Sequence, residues 1–371
     1  MAKSTKKKNK KKQNINSSAS LIQDVVSEID NDCVGTFIGN DAIDIVEGWI
    51  PSKNYAINYA MGDPRFGAIA QGRITEVYGP RSSAKSLILY DFGVECQKMD
   101  GIFTLIDSEA SYTKTFGDYL GVDHNRFIYA QLRTVEDIFD FAIKSVKGLR
   151  KKHAGPILLG IDSAAASTTI KSLDDAYQTH EMGERARLWG KYMRDTTGLF
   201  SQENITVVII NQIRKKLGVL FGNPETTPCG EAIPYHSSQR LEVRKSKKIT
   251  KTTNGIKRII GHKVNVHVEK NRVRPPFART SINLYVDKIS QRYGLDEYSG
   301  LIDLLLADNI ICKDGGKTSS KYKLVDDTSV KFTEKTIYKH WHDAILPNIP
   351  TDLYSNPTGN IEEPGDEDEE E

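Results

Sequence analysis

Eight residues, Gly79-Pro80-Arg81-Ser82-Ser83-Ala84-Lys85-Ser86, constrain this chain more than any other stretch. They follow an apolar run at 74–78 and precede a helical pattern at 86–98. That is the context a phosphate-binding loop requires. A tight turn points successive backbone N–H groups at a phosphate, the helix N-terminus adds its dipole, and a lysine reaches the terminal phosphates. Lys85 fits the lysine role, and Ser86 offers a hydroxyl to Mg²⁺. Ala84 stands where the pattern has glycine. In a left-handed conformation alanine costs about 1–2 kcal/mol, roughly 5- to 30-fold in an equilibrium. In a right-handed one the cost is small. If the position is strained, glycine at 84 should tighten nucleotide binding.

The loop belongs to a longer alternation. Short runs rich in Ile, Val and Leu lie at 74–78, 102–106, 157–161 and 205–210, separated by helical stretches such as 86–98 and 135–149. Near-continuous apolar strands alternating with helices predict an α/β fold with a mostly parallel central sheet covered on both faces. Runs at 262–268 and 281–286 alternate more clearly, as partly exposed antiparallel strands do. Beyond Gly294 a small α+β domain is expected, with helices at 301–307 and 333–345. Upstream, Leu21, Val25, Val26 and Ile29 share one helical face, which must be buried on its own core or on a neighbouring subunit.

Charge separates the ends from the folded part. The formal net charge of +2 hides seven lysines within residues 1–12 and eight acids within 361–371. Such single-sign runs repel themselves and stay solvated. The expected organisation is a basic tail at 1–17, a helical segment at 18–46, a core at 47–290, a C-terminal α+β domain at 291–346 and an acidic tail at 347–371. No apolar stretch approaches the ~18 residues needed to span a membrane. Cys33, Cys96, Cys229 and Cys312 are far apart, without CxxC or paired histidines, which argues against a zinc site or disulfide framework and fits a reducing cytoplasm.

Acids and amides stand at the ends of the other strands. Asp162 ends the run at 157–161, where open α/β sheets bind ligands, and can support Mg²⁺ opposite Ser86. Asp107-Ser108-Glu109 ends 102–106, and Glu109 is placed to polarise an attacking water. Both acids are also ordinary helix caps in such positions. Asn211-Gln212 ends the run at 205–210, where an amide can hydrogen-bond a terminal phosphate and relay its loss onward. The segment 214–238 is long and irregular, and loops of that length inside a domain are usually functional or disordered. It carries Arg214, Lys215, Lys216 and Phe221, a mixture suited to single-stranded nucleic acid. Its expected companion is 182–194, where Arg187, Lys191 and Arg194 share one helical face. A solvated face is the plainer reading of those three.

Together these residues resemble the RecA-type homologous recombinases over about 45–300. The most specific stretch runs from Ile209-Ile210-Asn211-Gln212-Ile213-Arg214 through Gly218-Val219-Leu220-Phe221-Gly222-Asn223-Pro224-Glu225-Thr226-Thr227, similar to the family's second DNA-binding loop and its entry strand. Lys270-Asn271-Arg272 resembles the Lys-x-Lys pair that reaches a neighbour's ATP, with Arg272 in place of the second lysine. Phe116 falls where the family has an aromatic against adenine. Cys229-Gly230 stands where the loop usually has two glycines. The acidic end resembles the family's autoinhibitory tail. Relaxed loops and a lysine-rich start are more typical of virus-encoded relatives, which makes a bacteriophage origin the expectation.

The resemblance implies a P-loop NTPase core and an ATP- and Mg²⁺-dependent strand-exchange protein. It would form a helical filament on single-stranded DNA, engage double-stranded DNA, and meet single-strand-binding and loader proteins in a bacterial or phage-infected cytoplasm. Gly79 through Ser86, Phe116, Asp162, Lys270 and Arg272 would hold nucleotide, with Ser86 and Asp162 on the metal. Lys85, Glu109 and Gln212 would act in catalysis and sensing. Met182, Gly183, Arg187, Arg194, Arg214, Lys216, Phe221, Thr226 and Gly230 would face DNA. Two rivals share the core: an ATP-gated coating or mediator subunit with little turnover, and a ring-forming helicase motor.

Overall fold

Apolar strands must be covered on both faces, and the sheet at the centre of this protein is. The computed structural model describes residues 46–174, 181–215, 225–287, 289–316 and 318–350. All of these but Val46 belong to one unit, Glu47–Glu371. The expectations for 1–17, 18–45 and 351–371, and for Lys216 and Phe221, lie outside the described residues, whereas 347–350, expected in the acidic tail, close the folded part with Ile349 buried.

Nine strands form the main sheet: β1 (Ile74–Gly79), β2 (Ile102–Asp107), β3 (Phe127–Ala130), β4 (Ile157–Asp162), β5 (Ile205–Gln212), β6 (Gln239–Thr253), β7 (Ile256–Asn271), β8 (Arg279–Asp287) and β9 (Arg292–Leu295). Their order is β9-β8-β7-β6-β1-β5-β4-β2-β3. The pairs from β6 through β1, β5, β4 and β2 to β3 are parallel, and β7 to β9 extend the sheet antiparallel.

Helix α1 (Lys85–Lys98) covers one face, burying Ile88, Leu89 and Phe92 against Val77, Leu105, Leu158 and Val208. α2 (Lys114–Leu120) lies beside it. The other face is covered by α3 (Val135–Arg150) and α4 (Glu181–Gln202). There Ile138, Phe139, Trp189 and Met193 pack on Ile106, Leu159, Ile161 and Ile209. α3 starts where the Thr134 hydroxyl accepts from the Asp137 N–H at 3.1 Å, with Glu136 and Asp137 in its first turn suiting the helix dipole.

The segment after β9 holds the helix Leu301–Ala307 and a three-stranded sheet, Ile311–Lys313, Lys321–Leu324 and Lys331–Thr333. The helix expected over 333–345 does not form. Thr333 pairs with Lys321 as a strand end, and its N–H donates to the Thr336 hydroxyl at 2.9 Å, closing a turn. A 3₁₀ turn at Ile337–Lys339 and a π turn at Trp341–Ile345 take the place of the helix. Ile337, Trp341 and Ile345 are fully buried. Their four-residue spacing is what imitated a continuous helix.

Candidate functional site

Register lines up the strand ends. Gly79 of β1 lies opposite Gln212 of β5, and Asp162 of β4 lies opposite Asp107 of β2. These groups stand in one row at the carboxyl edge of the parallel strands, where such sheets bind ligands.

The phosphate loop turns out of β1 into α1. A Cβ on Gly79 would meet the Val243 carbonyl oxygen at 2.0 Å, so only glycine fits the packing of β1 against β6 there. Ser82 and Ala84 both hold positive φ, 55° and 79°. The alanine therefore occupies the left-handed conformation that the glycine of the pattern serves. No side chain caps the start of α1, which leaves its first N–H groups free to meet an anion. Lys85 is largely buried, and its Nζ donates to the Pro80 carbonyl at 2.6 Å and the Ser83 hydroxyl at 3.5 Å. Burial lowers its pKa, opposed by Asp162 and Glu109.

A cavity of about 920 Å³ opens over this loop and is lined by Arg81, Ser86, Phe116, Glu109, Asp162 and Gln212 among others. Phe116 packs edge-on to Tyr90, with ring centroids 6.2 Å apart. Asp162 is buried, and burial pushes its carboxyl up to about 6, opposed by the Ser86 hydroxyl and raised further by Glu109 and Asp107. Its Oδ2 is buried without a hydrogen-bond partner. An orphaned carboxylate oxygen beside a serine hydroxyl is a donor set that a hard cation takes. No group of three or more His, Cys, Asp or Glu side chains suited to a metal gathers among the described residues. A Mg²⁺ here would thus complete its shell with phosphate oxygens and water.

The acids on β2 and its following turn divide their work. Asp107 accepts from the N–H groups of Glu109 at 3.0 Å, Ser111 at 2.8 Å and Tyr112 at 2.9 Å, so it shapes the turn. Glu109 instead faces Gln212 and accepts from its Nε2 at 2.9 Å. The Ser163 hydroxyl donates to the same Glu109 oxygen at 2.6 Å. Ser163 is a site residue that sequence reasoning misses, although its place directly after Asp162 marks it. From sequence, Asn211 is only the partner of Gln212. It is fully buried, and its Nδ2 donates to Glu76 at 3.0 Å and to the Pro228 carbonyl at 3.2 Å, tying the strand end to the following loop.

The base of that loop is a short antiparallel pairing of Arg214 with Thr226 and Lys215 with Glu225. An ion pair from Arg244 of β6 holds Glu225. Cys229 and Gly230 both hold positive φ, 72° and 71°. The Cys229 thiol is buried, lies 3.3 Å from the Ala164 carbonyl oxygen, and is pushed up to about 12 by burial. Met182 and Gly183 stand at the start of α4, and Arg187, Lys191 and Arg194 are exposed along it. Lys270 is not brought to the cavity of its own chain. Its Nζ donates to the carbonyls of Pro234 at 2.6 Å and Tyr235 at 3.1 Å. Arg272 lies nearby, and its N–H donates to the Ser238 carbonyl at 2.9 Å.

Comparison with known proteins agrees with this arrangement. The family model described as the RecA N-terminal domain matches residues 21–290. The chain belongs to the RecA family. Protein RecA of Borrelia duttonii is 32% identical over 299 residues, 81% of this chain and 77% of the relative. Protein RecA of Mycoplasma mycoides is 36% identical over 264 residues, 71% of this chain and 72% of the relative. The expected RecA-like α/β core with a mostly parallel sheet is the one observed. RecA-family membership makes this a recombination and repair protein. No helix among the described residues is long and apolar enough to cross a membrane.

Proposed function

We propose that this RecA-family member is a DNA-dependent ATPase that assembles as a helical filament on single-stranded DNA and catalyses homologous pairing and strand exchange. The observation that carries the reading is the Gln212–Glu109 hydrogen bond of 2.9 Å. It joins the strand end that leads into the 214–238 loop to an acid that lines the same cavity as the phosphate loop.

In this reading the backbone of Gly79 through Ser86 cradles the phosphates of ATP, and Lys85 swings from Pro80 onto the terminal ones. Phe116 takes the base. Mg²⁺ would neutralise phosphate charge, held by Ser86 and Asp162. Glu109 polarises the attacking water. Gln212 exchanges Glu109 for the terminal phosphate and so orders Arg214, Lys216, Phe221, Thr226 and Gly230 on DNA, with Met182, Gly183, Arg187 and Arg194 beside them. Lys270 and Arg272 serve a neighbouring subunit's nucleotide, a role suited to side chains that lie outside their own chain's cavity. ATP then selects the DNA-binding state through a difference in affinity between two states.

Imaging with single-stranded DNA and a slowly hydrolysed ATP analogue should reveal helical filaments, and rings would favour a helicase motor. Glu109→Gln should lower DNA-stimulated turnover about 100-fold or more while ATP binding persists. The left-handed Ala84 favours one alternative, an ATP-gated coating subunit with little turnover. Wild-type hydrolysis unresponsive to single-stranded DNA would support that alternative.

A further inference from the structure

One wall of the nucleotide cavity comes from the β6–β7 hairpin, through Lys245, Ile259, Gly261 and His262. Side chains alternate across a strand, so Leu241, Val243 and Lys245 share a face. Leu241 and Val243 are fully buried against the α1 side of the sheet. Lys245 takes the next place in that stripe, opposite the buried Val264 of β7. A cation thus stands where an apolar residue would continue the core, at the point where the sheet runs out over the cavity. The phosphate loop is close, because the Val243 carbonyl presses on Gly79 only two residues earlier. Arg244, on the opposite face, is paired with Glu225 and Glu242. Lys245 forms no ion pair among the described residues and is exposed.

We propose that Lys245 contacts the polyphosphate of a nucleoside triphosphate held by the phosphate loop of its own chain. The proposal rests on the nucleotide-site reading and adds a same-chain cation to it, supplied by the hairpin. Leu284, Val286 and Ile259 form the apolar part of the cavity with Phe116, which leaves the base to them and the charge of Lys245 to the phosphates. An unpaired ammonium gains a charge-assisted contact when phosphate arrives.

The test is equilibrium binding of a fluorescent ATP analogue to the full chain, with Mg²⁺ at fixed ionic strength and without DNA. Lys245→Met should weaken binding about tenfold, while Lys245→Arg stays within about threefold of wild type. Lys251→Met removes one charge farther out on the same hairpin and should leave binding unchanged. Lys245→Gln replaces the methionine variant if thermal unfolding reveals a folding defect. Wild-type affinity in Lys245→Met, or equal losses in Lys245→Met and Lys251→Met, overturns the proposal. Lys85→Ala separates the two levels: its loss of binding upholds the nucleotide site whatever Lys245 does, and undiminished binding refutes that site.

Discussion

At φ 79°, Ala84 holds a backbone that costs a residue with a Cβ about 1–2 kcal/mol. From sequence, relieving such strain should tighten nucleotide binding. The geometry redirects the expectation, because the turn is held by protein on both sides, with Gly79 wedged against the Val243 carbonyl and α1 starting at Lys85. Strain present in both free and bound protein cancels in the binding equilibrium and remains in folding. Glycine also frees the unfolded chain, which offsets about 0.4–1 kcal/mol. Ala84→Gly should therefore raise folding stability by roughly 0.5–1 kcal/mol and leave ATP affinity within about twofold. Denaturant unfolding with parallel nucleotide titration checks both, and a tenfold gain in affinity would mean that the free loop relaxes to another conformation. Residues of this kind were legible because a motif fixes their neighbours. The role of Asp107 was not, since a carboxylate at a strand end looks alike whether it serves a water or three backbone N–H groups.

Among the elements, strands β1, β2, β4 and β5 were legible because burial on both faces leaves only apolar residues. The 262–268 part of β7 was legible as an alternating run, whereas its hairpin partner β6 was hidden. Residues 243–268 hold eight bases and no acid, and that charge masks the apolar alternation of β6. Its position is set by pairs distant in sequence. Glu76 of β1 is fully buried and accepts from Arg240 Nε of β6 at 2.6 Å. Arg240 also pairs with Glu269 of β7 and stacks on Tyr78, 4.6 Å from the ring centroid. Burial raises the Glu76 pKa, and Arg240 opposes the rise. Removing one partner of such a pair strands the other charge, at a cost of about 3–5 kcal/mol. Arg240→Met should destabilise the fold by that amount in urea unfolding. Adding Glu76→Gln should recover part of the loss, because no unpaired charge is then buried. A single-variant loss under about 1 kcal/mol would mean that Glu76 is protonated or hydrated.

For the whole molecule, net charge conceals its own distribution. The +2 total includes eight acids in 361–371, so their removal would leave +10. The hairpin arm, α4 and the loop base present exposed bases, and phosphate contacts dominate affinity for nucleic acid. A polyanionic tail on the same chain would compete with DNA for those bases at high local concentration. Competition between exposed charges is screened over about 10 Å at 0.1 M salt. Deleting 361–371 should thus strengthen duplex binding several-fold at about 50 mM salt. The gain should shrink as salt rises, because both competitors are weakened together. Fluorescence anisotropy of full-length and truncated chains on one duplex, over a salt series, gives both slopes. Equal affinity at every salt would refute competition by the tail. A salt-independent gain would mean that the tail acts by occupying space rather than by charge.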